Sequence, residues 1–345
     1  MVTKENLSFD DVLLSPQYSN IESRVEIDTS SSLDEELKFH LPIISSPMDT
    51  VTEEKMAFQV DAHGGVGVVH RYNTIEEQAE MVQTVVKHGQ RVGAAVGATN
   101  DYVDRATALH DAGVNFLCLD VAHGHHVHVK NALKELRKLF GEKFHLMAGN
   151  VATFEGVSDL GRWGASSVRV GIGGGSICST RIQTGHGKPT FSSVLAAAAA
   201  KESLSKSGYN VTIIADGGIK NSGDMVKCFA AGADFVMVGS LLAATREAPG
   251  DIIFTKEGKF KSYRGMASKD AQMDWRGRTS SLEGIAAVVP YRGTVSEVLR
   301  ELERGIRSGL SYSGARNIQE LREKASFIIQ TPAGQYESST HILKR

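Results

Sequence analysis

The chain has 345 residues, 41% of them hydrophobic, with 38 Lys and Arg against 40 Asp and Glu for a formal charge of −2. That length suits one α/β barrel, and the near-neutral balance implies neither a basic nucleic-acid surface nor an acidic tail. No apolar leader opens the sequence and no window approaches a membrane span, so a soluble, cytoplasmic protein without a nucleic-acid or membrane partner is expected.

Leu7–Pro16 predicts a short lead-in element closed by proline. Apolar runs then recur at Pro42–Met48, Val66–His70, Gly93–Gly97, Phe116–Ala122, His145–Asn150, Ser167–Ile172, Thr212–Gly217 and Phe235–Ser240. Segments with helical spacing lie between them at Ile75–Lys87, Tyr102–Ala112, Val127–Phe140, Phe191–Lys206 and Ser222–Ala231. Continuous apolar strands alternating with helices indicate a parallel sheet, and about eight such units in this length indicate a closed (β/α)₈ barrel. Beyond Ser240 the pattern predicts a hairpin over Ile252–Ser262 turning at Lys256-Glu257-Gly258, a polar Arg-rich stretch from Asp274 to Ser281, and a helix over Val295–Ser308. The whole chain, 1–345, is expected to form one catalytic barrel domain.

In such a barrel the functional residues collect where the strands end. Strand six runs into Val168-Arg169-Val170-Gly171-Ile172-Gly173-Gly174-Gly175-Ser176-Ile177-Cys178-Ser179-Thr180-Arg181. Its glycines allow close backbone approach to a ligand, and Ser176 with the free N–H groups suits a phosphate or a cation. Cys178, just beyond, is a candidate nucleophile, since a thiolate is the reactive form; alone, the residues equally allow a buried cysteine beside a tight turn. Cys118 and Cys228 have no paired spacing with it, which points to a reducing compartment. Asp216-Gly217-Gly218 ends strand seven and Gly239-Ser240 ends strand eight, where barrels of this kind often hold phosphate. On its own, Asp216 before Gly-Gly reads as a turn-forming aspartate. His123, His125, His126 and His128 follow strand four; alternate histidines on a loop-to-helix segment are solvent-facing more often than metal ligands.

Taken in order, Leu7–Pro16, Ser45–Thr52, Gly149–Thr153, Val168–Arg181, Ala215–Ile219, Val238–Gly250, Tyr263–Ser268, Glu283-Gly284 and Val289-Pro290-Tyr291 resemble the IMP dehydrogenase/GMP reductase family over nearly the whole chain. The resemblance implies an NAD(P)-dependent purine nucleotide oxidoreductase. Cys178 would attack C2 of a purine monophosphate, and a hydride would pass between that carbon and NADPH or NAD. It further implies that Ser176, Gly218, Gly239, Ser240 and Tyr263 hold the phosphate, Asp216 the ribose, and Met266, Ala267 and Glu283 the base edge. Asp120, Val121 and Ala122, with Arg169 and Gly171, would meet the dinucleotide. Backbone carbonyls of Gly173, Gly175 and Cys178 would bind a potassium-like monovalent cation. Glu337, Ser338 and Ser339 resemble a tail that completes a neighbour's cation site, which implies an oligomer, usually a tetramer.

Two departures from the family pattern bear on the reaction. The pair of CBS modules that most IMP dehydrogenases insert after the second barrel helix is missing, since Lys87–Arg91 passes directly to strand three. The flap over 267–283 is short and lacks the Arg-Tyr pair with which the dehydrogenase activates water; it offers only Arg276 and Arg278. Thr180 and Glu283 match the proton-relay pair of the family's reductases, so the expectation leans to GMP plus NADPH giving IMP and ammonia. The alternative is IMP plus NAD and water giving XMP, which the Ala122–His125 segment, the Glu337–Ser339 tail and Ser268-Lys269-Asp270 resemble more. A phosphate-binding barrel with FMN, or one without catalysis, is a more distant alternative.

Overall fold

The computed structural model describes residues 5–338. Eight parallel strands close into a barrel in sequential order: β1 (Ile43–Ser45), β2 (Val66–Val69), β3 (Val92–Val96), β4 (Phe116–Asp120), β5 (His145–Val151), β6 (Ser167–Val170), β7 (Thr212–Asp216) and β8 (Phe235–Val238). Closure runs through Met237 of β8 beside Ile44 of β1. The strands are apolar without alternation because one face meets the helices and the other fills the barrel. Ile44, Val66, Val68, Ala95, Phe116, Cys118, Met147, Ile214, Phe235 and Met237 form the inner cluster, joined by Leu33, Leu37 and Phe39. Those last three come from a small hairpin, Ser31–Ser32 with Lys38–Phe39, and the Phe39 ring meets Phe235 edge-on at 5.9 Å. On Gly93 a Cβ would fall 2.3 Å from the Phe116 ring, so the missing side chain is what lets Phe116 occupy the interior.

The expected barrel is therefore present, and its strands begin within one residue of the apolar runs. The runs extend past the strand ends at 46–48, 121–122, 171–172 and 239–240 because residues there leave the sheet at the C-terminal face, as loops or, at Ser240, as the start of a short helix. Val127–Phe140 is a helix over the expected span, and Thr190–Lys206, Ser222–Ala230 and Val295–Tyr312 differ by a few residues. Glu54–Ala62 and Phe154–Arg162 are helices where none was expected; both are short, and Met56, Ala57 and Val60 face the core in the first.

Outside the barrel, Val12–Leu14 pairs antiparallel with Phe327–Ile329, tying the lead-in to the C-terminal region. The expected hairpin is Ile253–Thr255 with Gly258–Arg264, and Ala286–Pro290 adds a third strand. The Arg-rich stretch is not a plain loop. Ser268 caps a helix over Lys269–Arg276 by accepting from the Ala271 N–H, and Gly277 ends it at φ +63°. Only Ala271 and Gln272 of that helix are buried, so no apolar stripe marked it in the sequence. Among the described residues no helix is long and apolar enough to cross a membrane.

Candidate active site

A cleft of about 440 Å³ opens at the C-terminal face of the barrel, floored by the strand ends and roofed by the 264–284 segment. The loop after β6 forms one wall. Gly171, at φ +151°, passes so near β7 that a Cβ would lie 1.9 Å from the Asp216 carbonyl oxygen. Only glycine allows that contact, and it brings the Gly-rich loop against Asp216.

Cys178 is half-exposed in this cleft, whereas Cys118 and Cys228 are buried. Burial pushes the Cys118 thiol up to about 11 and the Cys228 thiol well above its usual range, so neither is a thiolate near neutrality. The Cys178 thiol donates to Thr180 Oγ1 at 3.2 Å, and that hydroxyl donates to Glu283 Oε2 at 2.8 Å. Ser281 Oγ holds the other Glu283 oxygen at 2.9 Å. Backbone pairing fixes the two segments together: the Ser179 N–H donates to the Glu283 carbonyl and the Ile285 N–H to the Ile177 carbonyl. Thiol, hydroxyl and carboxylate thus form one proton path across a strand-like bridge.

Asp216 ends β7 with one oxygen engaged, while the other accepts no hydrogen bond from the described residues. Oδ2 accepts from Asn150 Nδ2 at 2.8 Å and from Arg169 Nη2 at 2.9 Å. Asp120, at the end of β4, likewise gives Oδ1 to Arg169 Nη1 at 2.6 Å, while Arg71 Nε stands 3.9 Å from Oδ2. On the far side, Gly239 is a close-approach glycine, since a Cβ there would meet the Tyr263 hydroxyl at 3.0 Å and Met48 Sδ at 3.3 Å. Burial pushes the Tyr263 phenol up to about 12, with a hydrogen bond to Ser176 opposing, so it is a neutral donor at ordinary pH.

The roof is pinned in place. Gln272 Nε2 donates to the Ala267 and Ser281 carbonyls, and its Oε1 accepts from the Ser280 N–H and hydroxyl. The Tyr72 hydroxyl donates to the Met266 carbonyl at 2.7 Å, and its ring stacks on Trp275 at 4.0 Å. Arg276 lines the cleft, its guanidinium 4.3 Å from the Trp275 ring centre; Arg278 does not line it.

All the expected site residues on the barrel and flap share this cleft: Ser176, Asp216, Gly218, Gly239, Ser240, Tyr263, Met266 and Ala267, with Asp120, Val121, Ala122, Arg169, Gly171, Gly173, Gly175, Cys178, Thr180 and Glu283. Glu337 and Ser338 do not line it. They end a helix, Pro332–Glu337, that packs on the 9–11 turn, with Ser338 Oγ bonded to Gly334 and Gln330 of the same segment. Ser339 lies outside the described residues. Of the histidines, His125 bonds Asp159 at 2.9 Å, and His123, His126 and His128 are exposed. Ser46, Met48, Arg71, Tyr72, Asn150, Gln272 and Arg276 also line the cleft without having been singled out as binding residues. Their common signal is position just past a strand end or on the flap.

A (β/α)₈ barrel with a thiol–hydroxyl–carboxylate chain beside a glycine-rich loop has the geometry of an enzyme class that works through a nucleophilic cysteine at the C-terminal face of the barrel. The IMP dehydrogenase / GMP reductase domain matches residues 6–341. Inosine-5'-monophosphate dehydrogenases from Nitrosopumilus maritimus and Aquifex aeolicus are 32% and 34% identical to the chain, covering 99% and 98% of it and 99% and 96% of their own lengths. Among solved structures, a GMP reductase from Trypanosoma brucei in complex with guanosine 5'-monophosphate superposes with a TM-score of 0.91 at 30% identity, covering 98% of each chain. The protein belongs to the IMP dehydrogenase/GMP reductase family of NAD(P)-dependent oxidoreductases that act at C2 of purine monophosphates.

Proposed function

We propose that the chain oxidises IMP to XMP through a covalent adduct on Cys178. The observation that carries the covalent step is the Cys178–Thr180–Glu283 path, on the one cysteine that is not buried. Thr180 and Glu283 would draw the proton from the thiol as sulfur adds to C2 and pass it to the purine nitrogen beside that carbon. That nitrogen sheds it to solvent as the hydride leaves, so the carboxylate is free to act again. Bound beside the purine, the nicotinamide dinucleotide supplies the hydride acceptor. Once the hydride has left C2, the same two residues would take a proton from the water that adds there, and the C–S bond then breaks to release XMP and the thiolate.

A proton path works in both directions, so Thr180 and Glu283 do not choose between water attack and ammonia release. The direction proposed here is supported by the relatives named above, both IMP dehydrogenases, and by Arg276, which the short flap nonetheless holds at the cleft. Asp216, with one oxygen free of hydrogen bonds from the described residues, suits a ribose diol. Ser176, Gly218, Gly239, Ser240 and Tyr263 are neutral donors grouped as a phosphate would need. Asp120, Val121, Ala122, Arg169 and Gly171, which line the same cleft at and beyond the ends of β4 and β6, would meet the dinucleotide.

The Gly173 and Cys178 carbonyls accept no hydrogen bond from the described residues, and the Gly175 carbonyl accepts only the Cys178 N–H, so the loop fits a weakly hydrated monovalent cation. A homotetramer would let a neighbour's Glu337–Ser339 tail reach that loop.

Reduction of GMP by NADPH is the second reading, favoured by the missing Arg-Tyr pair and by the likeness to the T. brucei enzyme. Nicotinamide absorbance separates the two. IMP with NAD should give reduced dinucleotide over many turnovers; oxidation of NADPH by GMP alone would reverse the assignment, and inactivity with both pairs would refute it.

A further inference from the structure

Arg169 leaves β6 between the strands that carry Asp120 and Asp216, and its side chain is only 6% exposed. One guanidinium nitrogen holds Asp120 Oδ1 at 2.6 Å and the other holds Asp216 Oδ2 at 2.9 Å. Each carboxylate therefore commits one oxygen to the same buried cation, and the other accepts no hydrogen bond from the described residues, although Arg71 Nε stands 3.9 Å from the second oxygen of Asp120. The two acids line the cleft from different strand ends, one followed by Val121 and Ala122, the other by Gly217 and Gly218. Without the cation they would be two half-buried like charges, with Arg71 near Asp120 only, and only a planar fork with donors on two nitrogens reaches both at once.

We propose that Arg169 is a positioning residue that couples the two halves of the cleft, so that a nucleotide on Asp216 prepares Asp120 for the dinucleotide and the reverse. The inference rests on the reading that both ligands bind here. When ribose hydroxyls engage the free oxygen of Asp216, both oxygens of that carboxylate are held and its orientation is fixed. The guanidinium it grips is fixed with it, and so is the partner Asp120. The second ligand then meets a group already ordered, and the ordering free energy is spent once rather than twice. Thermodynamic linkage makes the effect equal in both directions. Asn150, which also donates to Asp216 Oδ2, reinforces one arm only and has no bond to Asp120.

The test uses the full chain carrying Cys178→Ala, which cannot form the adduct, so both ligands can be present without turnover. IMP binding is titrated with and without saturating NAD, with NADP in a parallel arm, and dinucleotide binding with and without IMP. The expected result is mutual tightening by about fivefold or more, equal in both directions. Adding Arg169→Lys keeps the charge and removes the fork, and the factor should fall to within about twofold of unity. A merely structural Arg169 would weaken both affinities and leave the factor unchanged, which overturns the proposal. Should Arg169→Lys fail to fold, Asp120→Asn replaces it; whatever this variant costs in either affinity alone, the factor should fall to within about twofold of unity, and a factor kept at the parent's value overturns the proposal. Binding of both ligands to the parent without coupling overturns the proposal and leaves the functional reading standing. Failure of either to bind removes both.

Discussion

Glu283→Gln is the sharpest test of the proton path. The substitution keeps the size of the side chain and its capacity to accept from Thr180 at 2.8 Å and Ser281 at 2.9 Å, but removes the charge that draws the proton. Addition of sulfur to C2 and hydride departure need the carboxylate only to take the thiol proton, which solvent at the half-exposed Cys178 can also accept. Attack by water needs a base at the moment of reaction, and loss of a positioned base typically slows that step about 10²–10⁴-fold, or roughly 3–5 kcal/mol. With IMP and NAD the variant should therefore produce a rapid burst of one reduced dinucleotide per site, followed by a steady rate lower by that factor. Rapid-mixing absorbance gives both phases in one trace. Thr180→Val interrupts the path one bond earlier and should give the same trace, and the double variant should be little worse than either single one, because the residues act as a unit. A steady rate within about threefold of the parent in Glu283→Gln would refute the role of this chain of bonds in turnover.

Cys178→Ser should bind nucleotide but lose turnover by several orders of magnitude, and a thiol-directed alkylator should modify Cys178 alone, with IMP protecting it; labelling of Cys118 or Cys228 in the folded protein would contradict their burial. Tyr263 has a folded-state pKa of about 12 against an ordinary 10, so its contribution is fully present below pH 10 and is lost as pH rises through 12. That displacement is worth at most about 3 kcal/mol, and denaturant unfolding at alkaline pH should show a shallower decline for Tyr263→Phe than for the parent. Gly171→Ala places a methyl 1.9 Å from the Asp216 carbonyl oxygen, so either the loop or β7 must move. Nucleotide binding should be lost or the thermal midpoint should fall by several degrees, and a variant normal in both would show that the loop yields freely.

The barrel is legible in the sequence because its strands are short, β-branched and apolar on both faces, as at Val66–Val69 and Thr212–Asp216. The overshoot of the apolar runs is informative in itself, since Met48, Val121, Ala122 and Gly239 are loop residues facing the cleft. Most cleft residues are legible because ordered stretches such as Val168–Arg181 carry them. What sequence does not disclose is which side chains meet across strands. Arg169 stands on the dinucleotide side in the sequence reading, yet it also grips Asp216, which requires the ends of β4, β6 and β7 to be neighbours across the barrel mouth. The helix over Lys269–Arg276 is hidden for a different reason: a polar composition with two buried residues gives no periodic signal, and its position comes from Gln272 and the Tyr72–Trp275 stack.

The roof also bears on how such a protein changes over time. No residue between Ala267 and Val288 belongs to the buried apolar clusters that hold the barrel together. Substitutions at exposed positions there would perturb stability little, as surface changes generally do. Yet Glu283 and Arg276, which line the cleft and to which the proposed chemistry at C2 looks, lie within that stretch. A lineage can therefore revise the chemistry without endangering the fold, and the barrel becomes a chassis on which oxidation and reduction are neighbouring options rather than separate inventions.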